Sequence, residues 1–176
     1  MKDLIWKKQG KGDAVDEAVM EFLAGEDVVL DRELLLFDVR ASVAHARGLA
    51  QAGILNDDEL ARIVDSMGLL ERQVRDGVRE LDTRYEDGHS AIESWLTEML
   101  GDLGGKIHTG RSRNDQVAVA LRLYMKDRLD RLLNTCAEIA SVLLDRAEKE
   151  ADLPMPGYTH LQPAMPSSAG LWLAGH

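Results

Sequence analysis

Between Asp115 and Glu150 the sequence contains neither Pro nor Gly, and Val117, Leu121, Met125, Leu129, Leu132, Cys136, Ile139 and Leu143 return every three or four residues. That period is the mark of one apolar helix face. At 1.5 Å per residue the helix spans roughly 50 Å, against a mean of about three turns for helices in globular proteins. Propensity alone does not hold such a helix in water, so it needs neighbours along its whole length. The pattern therefore calls for a helical bundle, and one shared between subunits rather than an isolated monomer.

The remainder of the chain reads the same way, and the fold class is all-α: a mostly helical N-terminal domain over residues 1–111, then the start of a long central bundle over 112–176. After a polar start that includes Trp6, Val15, Ala18, Val19 and Phe22 predict a helix over Asp13–Ala24, and a second runs from Asp31 to Gln51, where Gly53 breaks it. Asn56 with Glu59 forms a capping pattern ahead of Leu60, Ile63, Val64, Met67 and Leu70, in a helix that fades near Gly77. Ser90 with Glu93 repeats it ahead of Ile92, Leu96 and Leu100, and Gly101, Gly104 and Gly105 end that helix. No alternating strand pattern stands between hairpin turns. Pro154, Pro156 and Gly157 predict a turn, and Ser167 or Ser168 caps a last helix from about Ala169.

Composition narrows the function classes. Acidic residues outnumber basic ones 31 to 21, a formal net charge of −10, which disfavours a general attraction to nucleic acid or to an anionic membrane. An anionic substrate must then be held by a local cluster of cations. Cys136 is the single cysteine, so an internal disulfide and a cysteine-based metal cage are both excluded, and the expected compartment is the reducing cytoplasm. No segment has the apolar core of a signal peptide or the length of a membrane span.

Two polar stretches at helix ends carry the candidate chemistry. Gly104 to Gln116 packs Lys106, His108, Arg111 and Arg113 just before the long helix, where backbone N–H groups add positive potential. It grips a carboxylate or phosphate, or else Ser112, Asn114 or Asp115 caps the helix and nothing more. Met155 to Pro163 places Thr159 beside His160, and imidazole is the side chain best matched to proton transfer near neutral pH. A lone loop histidine is more often an ordinary hydrogen-bonded residue, and spacing identifies no partner carboxylate for it.

Both stretches resemble signature segments of one family. His108–Gln116, reading HTGRSRNDQ, is similar to the argininosuccinate lyases of the fumarase/aspartase superfamily rather than to fumarases or adenylosuccinate lyases. Pro156–Gln162 resembles the family's second block, and Glu86-Asp87-Gly88-His89-Ser90 its acidic-histidine turn. Three ordered motifs at compatible separations are far more specific than one. The resemblance implies elimination of fumarate from argininosuccinate to leave arginine, with no metal and no organic cofactor. It implies that Thr159 and His160 contact substrate and take part in proton transfer, that Ser112, Arg113 and Asn114 help hold it, and that Asp87 and His89 line or support the pocket. Near the start the family carries Asn-Ala-Ser where this chain reads Leu23-Ala24-Gly25-Glu26-Asp27; either Asp27 stands in for the serine toward the guanidinium end, or it is an exposed acid. The family assigns its base to a serine in a Gly-Ser-Ser and Met-Pro-Lys-Lys-Asn-Pro loop that these 176 residues do not contain. The resemblance thus implies an amino-terminal part without a complete site. It also implies a homotetramer whose sites draw on several subunits. An anion-binding or purely structural, assembly role is the alternative.

Overall fold

The computed structural model describes residues 17–176. Its elements are helices α1 (Glu17–Gln51), α2 (Asp57–Arg75), α3 (Gly88–Leu100), α4 (Asp102–Gly105), a 3-10 turn over Lys106–His108, α5 (Arg113–Lys149), strands β1 (Pro154–Thr159) and β2 (Gln162–Ser168), and α6 (Ala169–Ala174). The fold is all-α with one small ribbon. Packing separates the chain into two compact units that meet in sequence within α5, between Tyr124 and Met125.

In the first unit α1 presents Val28, Leu35, Val39, Ala46 and Leu49 along one face, and these meet Ile63, Met67 and Leu70 of α2 and Ile92, Trp95 and Leu96 of α3. Burying each large side chain contributes about 1.5 to 3 kcal/mol relative to exposure. The Asn56 cap forms as expected: its side chain accepts the Glu59 N–H at 2.9 Å and its own N–H reaches the Glu59 carboxylate at 3.1 Å. Gly53, Gly77 and Gly101 follow their helices with positive φ. Gly104 is required by contact, since a Cβ there would sit 2.6 Å from the α3 backbone at Leu96 and Thr97. Trp95 donates to the Tyr85 hydroxyl at 2.8 Å, closing the bottom of α3 over the loop before it.

Three expectations change. The two helices foreseen over Asp13–Ala24 and from Asp31 are one helix from Glu17, because a helix accommodates Gly25 for about 1 kcal/mol and the buried Val28 anchors the join; Trp6 and residues 13–16 lie outside the described residues. The cap of α3 is Asp87, which accepts the Ser90 N–H at 2.7 Å, rather than Ser90, and α4 follows Gly101 where a plain helix end was expected. The third change is in the second unit. There Pro154–Thr159 and Gln162–Ser168 pair as an antiparallel hairpin with a bulge between Pro156 and Tyr158. All four prolines fall in it, at 154, 156, 163 and 166. Proline argues against a strand within a sheet, but both strands of a two-stranded ribbon are edges, where proline is tolerated.

The expected last helix is present as α6, with the Ser168 hydroxyl accepting the Leu171 N–H at 3.1 Å. It folds back on the end of α5, where the Gly170 N–H meets the Glu150 carbonyl at 3.0 Å. The long helix is continuous as foreseen. Along it Met125, Leu129, Leu132 and Ile139 are each more than half exposed, and Cys136 between them is exposed too. Among the described residues no helix is long and apolar enough to cross a membrane.

Candidate functional site

The first unit gathers five of the expected residues around the amino ends of α3 and α5. Asp87 precedes α3 and uses one carboxylate oxygen as its cap; the other accepts from Arg113 Nη1 at 2.9 Å. Arg113, the first residue of α5, also donates to the Ser90 hydroxyl at 3.2 Å and lies 3.4 Å from the Glu86 carboxylate. The two helix starts are thereby tied together by one guanidinium. Ser112 stands just before α5, with its N–H and hydroxyl on the Asp115 carboxylate at 2.9 and 3.0 Å, while the Asp115 N–H returns to its hydroxyl at 3.3 Å. That reciprocal cap holds the Asp115 carboxyl below its ordinary value, through the backbone bond from Ser112 first and its hydroxyl second. Asn114, in the first turn of α5, is exposed.

His89 is buried and its Nδ1 lies 2.5 Å from Asp38 Oδ2. Burial pulls the imidazole pKa down, but the Asp38 hydrogen bond and charge, with Asp87 and Asp31 behind them, outweigh it and the net shift is upward. Asp38 Oδ1 faces the Ser42 hydroxyl at 3.5 Å, and that hydroxyl accepts from Arg111 Nη1 at 3.2 Å. Burial draws the Arg111 guanidinium below its ordinary value, against the pull of Asp38, Glu93 and Asp115. Asp31, also on α1, accepts the Gly88 N–H at 2.8 Å; desolvation raises its carboxyl despite that bond.

The loop before α5 is thus no open cluster of cations. Lys106 pairs with Glu59 at 2.5 Å, Arg113 with Asp87, and Arg111 turns inward to Ser42. His45 Nε2 meets the Thr109 carbonyl at 3.0 Å and pins the turn whose Gly110 has φ +68°. Sequence reasoning missed Asp31 and Asp38. The signal for Asp38 was there: a lone carboxylate inside Leu34-Leu35-Leu36-Phe37-Asp38-Val39, where a helix buries every third or fourth position. Asp27 is exposed on α1, in a segment that is helix and not loop. Among the described residues no three His, Cys, Asp or Glu side chains gather at metal-ligand spacing.

Thr159 and His160 belong to the second unit, at the tip of the hairpin. Thr159 pairs with Gln162, so His160 and Leu161 are the whole turn, with φ of +49° and +62°. A turn with both central residues left-handed matches strand twist, but it is ordinarily built from Asn and Gly. Here a histidine and a 94% exposed leucine hold it, at a cost of order 1 to 2 kcal/mol each. The Thr159 hydroxyl and His160 Nδ1 are 2.8 Å apart, which orients the imidazole.

The chain is similar to known lyases. The family model described as "Lyase" matches residues 11–176. The chain is 58% identical over 175 residues to the argininosuccinate lyase of Stenotrophomonas maltophilia (strain R551-3), covering 99% of this chain and 40% of that protein. It is 57% identical, with the same coverage, to the argininosuccinate lyase of Xanthomonas euvesicatoria pv. vesicatoria (strain 85-10). Among solved structures, a variant of EDDS lyase with bound fumarate superposes with a TM-score of 0.69 at 26% identity, over 93% of this chain and 32% of that one. The chain therefore spans 40% of the length of these argininosuccinate lyases. Matched by the family model over nearly all of its residues, the chain belongs to the lyase family.

Proposed function

We propose that the chain is part of an argininosuccinate lyase, which eliminates fumarate from argininosuccinate to give arginine, in arginine biosynthesis and in the cytoplasm. The observation that carries this reading is its 58% identity over 175 residues to a protein of that activity. The fumarate bound to the similar EDDS lyase variant is in keeping with it.

In this reading residues 1–111 form the N-terminal domain and 112–176 begin the central bundle, in a homotetramer whose sites are shared between subunits. The bare heptad face of α5 supports that assembly, since Met125, Leu129, Leu132, Cys136 and Ile139 repeat at the spacing of a coiled-coil seam. His160, oriented by Thr159, moves the proton, as acid or as base relay. As a proton leaves the carbon beside a carboxylate, negative charge builds on that carboxylate. Asn114 and the N–H groups at the start of α5 supply donors to it, and Ser112 and Arg113 fix that helix start. Because Arg113 is held by Asp87, its work is to place the loop before α5 against α3, with Asp87 and His89 as the supporting wall.

The test is fumarate release, followed by its ultraviolet absorbance on adding argininosuccinate, with this chain alone and with the remaining length of an argininosuccinate lyase supplied. Turnover after complementation is the expected result. A folded, complemented assembly that binds argininosuccinate without turnover, or ignores it, overturns the reading.

A further inference from the structure

The α1 face toward α3 carries Asp31, Asp38 and Ser42, seven and four residues apart and so along one side of the helix. Asp38 is 2% exposed and Ser42 fully buried, between core residues Leu35, Val39 and Ala46. A buried carboxylate costs several kcal/mol unless it is paired, and an apolar side chain would fill the same space without that cost. Both Asp38 oxygens are engaged, Oδ2 with His89 Nδ1 and Oδ1 with Ser42, whose oxygen accepts from Arg111. An ionised carboxylate only accepts hydrogen bonds, so Nδ1 carries the proton and Nε2 is the nitrogen able to meet another group.

We propose that Asp38 is a positioning residue of the site: it fixes His89 with the proton on Nδ1 and Nε2 free for proton exchange with a carboxylate-bearing ligand, and through Ser42 it ties that imidazole to Arg111. The ligand rests on the lyase reading above; the arrangement of the proton does not. Four carboxylates, Asp31, Asp38, Asp87 and Glu86, face three cations, Arg111, Arg113 and protonated His89, so losing the His89 proton deepens the negative charge of the cluster and gaining it relieves that charge. Its upward shift, won against burial by Asp38 first and by Asp87 and Asp31 after it, fits the same geometry. One network thus connects α1, the start of α3 and the loop before α5, and it ends at a single imidazole.

The experiment is nitrogen NMR of the chain labelled at its five histidines, with His89→Gln to assign the signal. Neutral His89 should carry its proton on Nδ1 and titrate above 6.5. Asp38→Asn, which keeps the shape but can donate, should move the proton to Nε2 and lower the midpoint. Ser42→Ala should leave the proton on Nδ1, because Asp38 remains. In the complemented enzyme Asp38→Asn should lower kcat by about tenfold or more, the scale for losing a partner that orients a working histidine, with KM moving less. A wild-type His89 protonated on Nε2 overturns the proposal even if Asp38→Asn fails to fold, as does a folded Asp38→Asn chain with its proton unmoved. An inactive complemented wild type with the NMR result intact counts against the lyase reading alone.

Discussion

The two units spend their apolar residues in opposite ways. In the first, Ile63, Met67, Leu70 and Leu96 are wholly buried among α1, α2 and α3, and even its polar residues Asp38 and Ser42 are enclosed and bonded. In the second, Met125, Leu129, Leu132, Leu133 and Ile139 stand more than half exposed on a helix just as regular. Single exposed apolar residues are ordinary on a protein surface, whereas a contiguous row of them is the kind of face on which partner contacts are expected. Hydrophobic periodicity alone does not separate the two cases, because it records that a face is to be covered and not by whom. The first unit buries a core between its own helices, whereas the α5 face beyond Met125 is left exposed within this chain.

Variants should break this contrast on one side at a time. The largest effect is expected from Leu132→Glu with Ile139→Glu: association through α5 should be lost altogether by sedimentation, while the first unit keeps its helical circular dichroism. Leu96→Ala, at a fully buried site, should destabilise the first unit by about 2 to 5 kcal/mol in a denaturant titration, through lost transfer energy and a cavity. A comparable loss from Leu129→Ala in the monomeric double variant would erase the distinction. His160→Ala in the complemented enzyme should lower turnover by at least about a hundredfold, or about 2.7 kcal/mol, and leave the melting temperature within the error of a surface change.

The pH dependence sharpens the same contrast, since the perturbed histidines are in the first unit. His89, raised when folded, stabilises fully below its ordinary 6.5, and that contribution is lost as pH rises through the higher folded value. His45 runs the other way. Its folded pKa is depressed, by burial first and Arg111 second, so its contribution is present above 6.5 and is lost as pH falls through the lower value. Melting curves across neutral pH should therefore lose their alkaline decline in His89→Gln and their acid decline in His45→Gln; unchanged slopes would refute both assignments. The smallest effect is that of Asn56→Ala, about 1 kcal/mol for a lost helix cap, read in the same titration.

Much of this was legible in the sequence where one local rule decides. The continuous α5, the Asn56 cap, the glycine helix ends and the Ser168 cap follow from period and capping chemistry. The hairpin was not legible, because its four prolines read as punctuation and its strands lack a buried face to impose alternation. In the candidate site, Asp87, His89, Ser112 and Arg113 were within reach of motif and resemblance, and they meet at two helix starts. The apolar run around Asp38 signals its burial, but the partners of Asp38 and Asp31 were not legible, because nothing local links α1 to α3: the pairs span 51 and 57 residues. The loop before α5 reads in sequence as either an anion grip or a plain helix cap, and period and motif do not show that Glu59, Asp87 and Ser42 engage Lys106, Arg113 and Arg111 from three other segments.

The claim that α5 is completed by copies of this chain is tested most directly by the mass of the unmodified chain in solution, by sedimentation equilibrium over a range of concentrations. The account predicts a tetramer, or reversible association toward one. A well-behaved chain that stays monomeric at every concentration would contradict it.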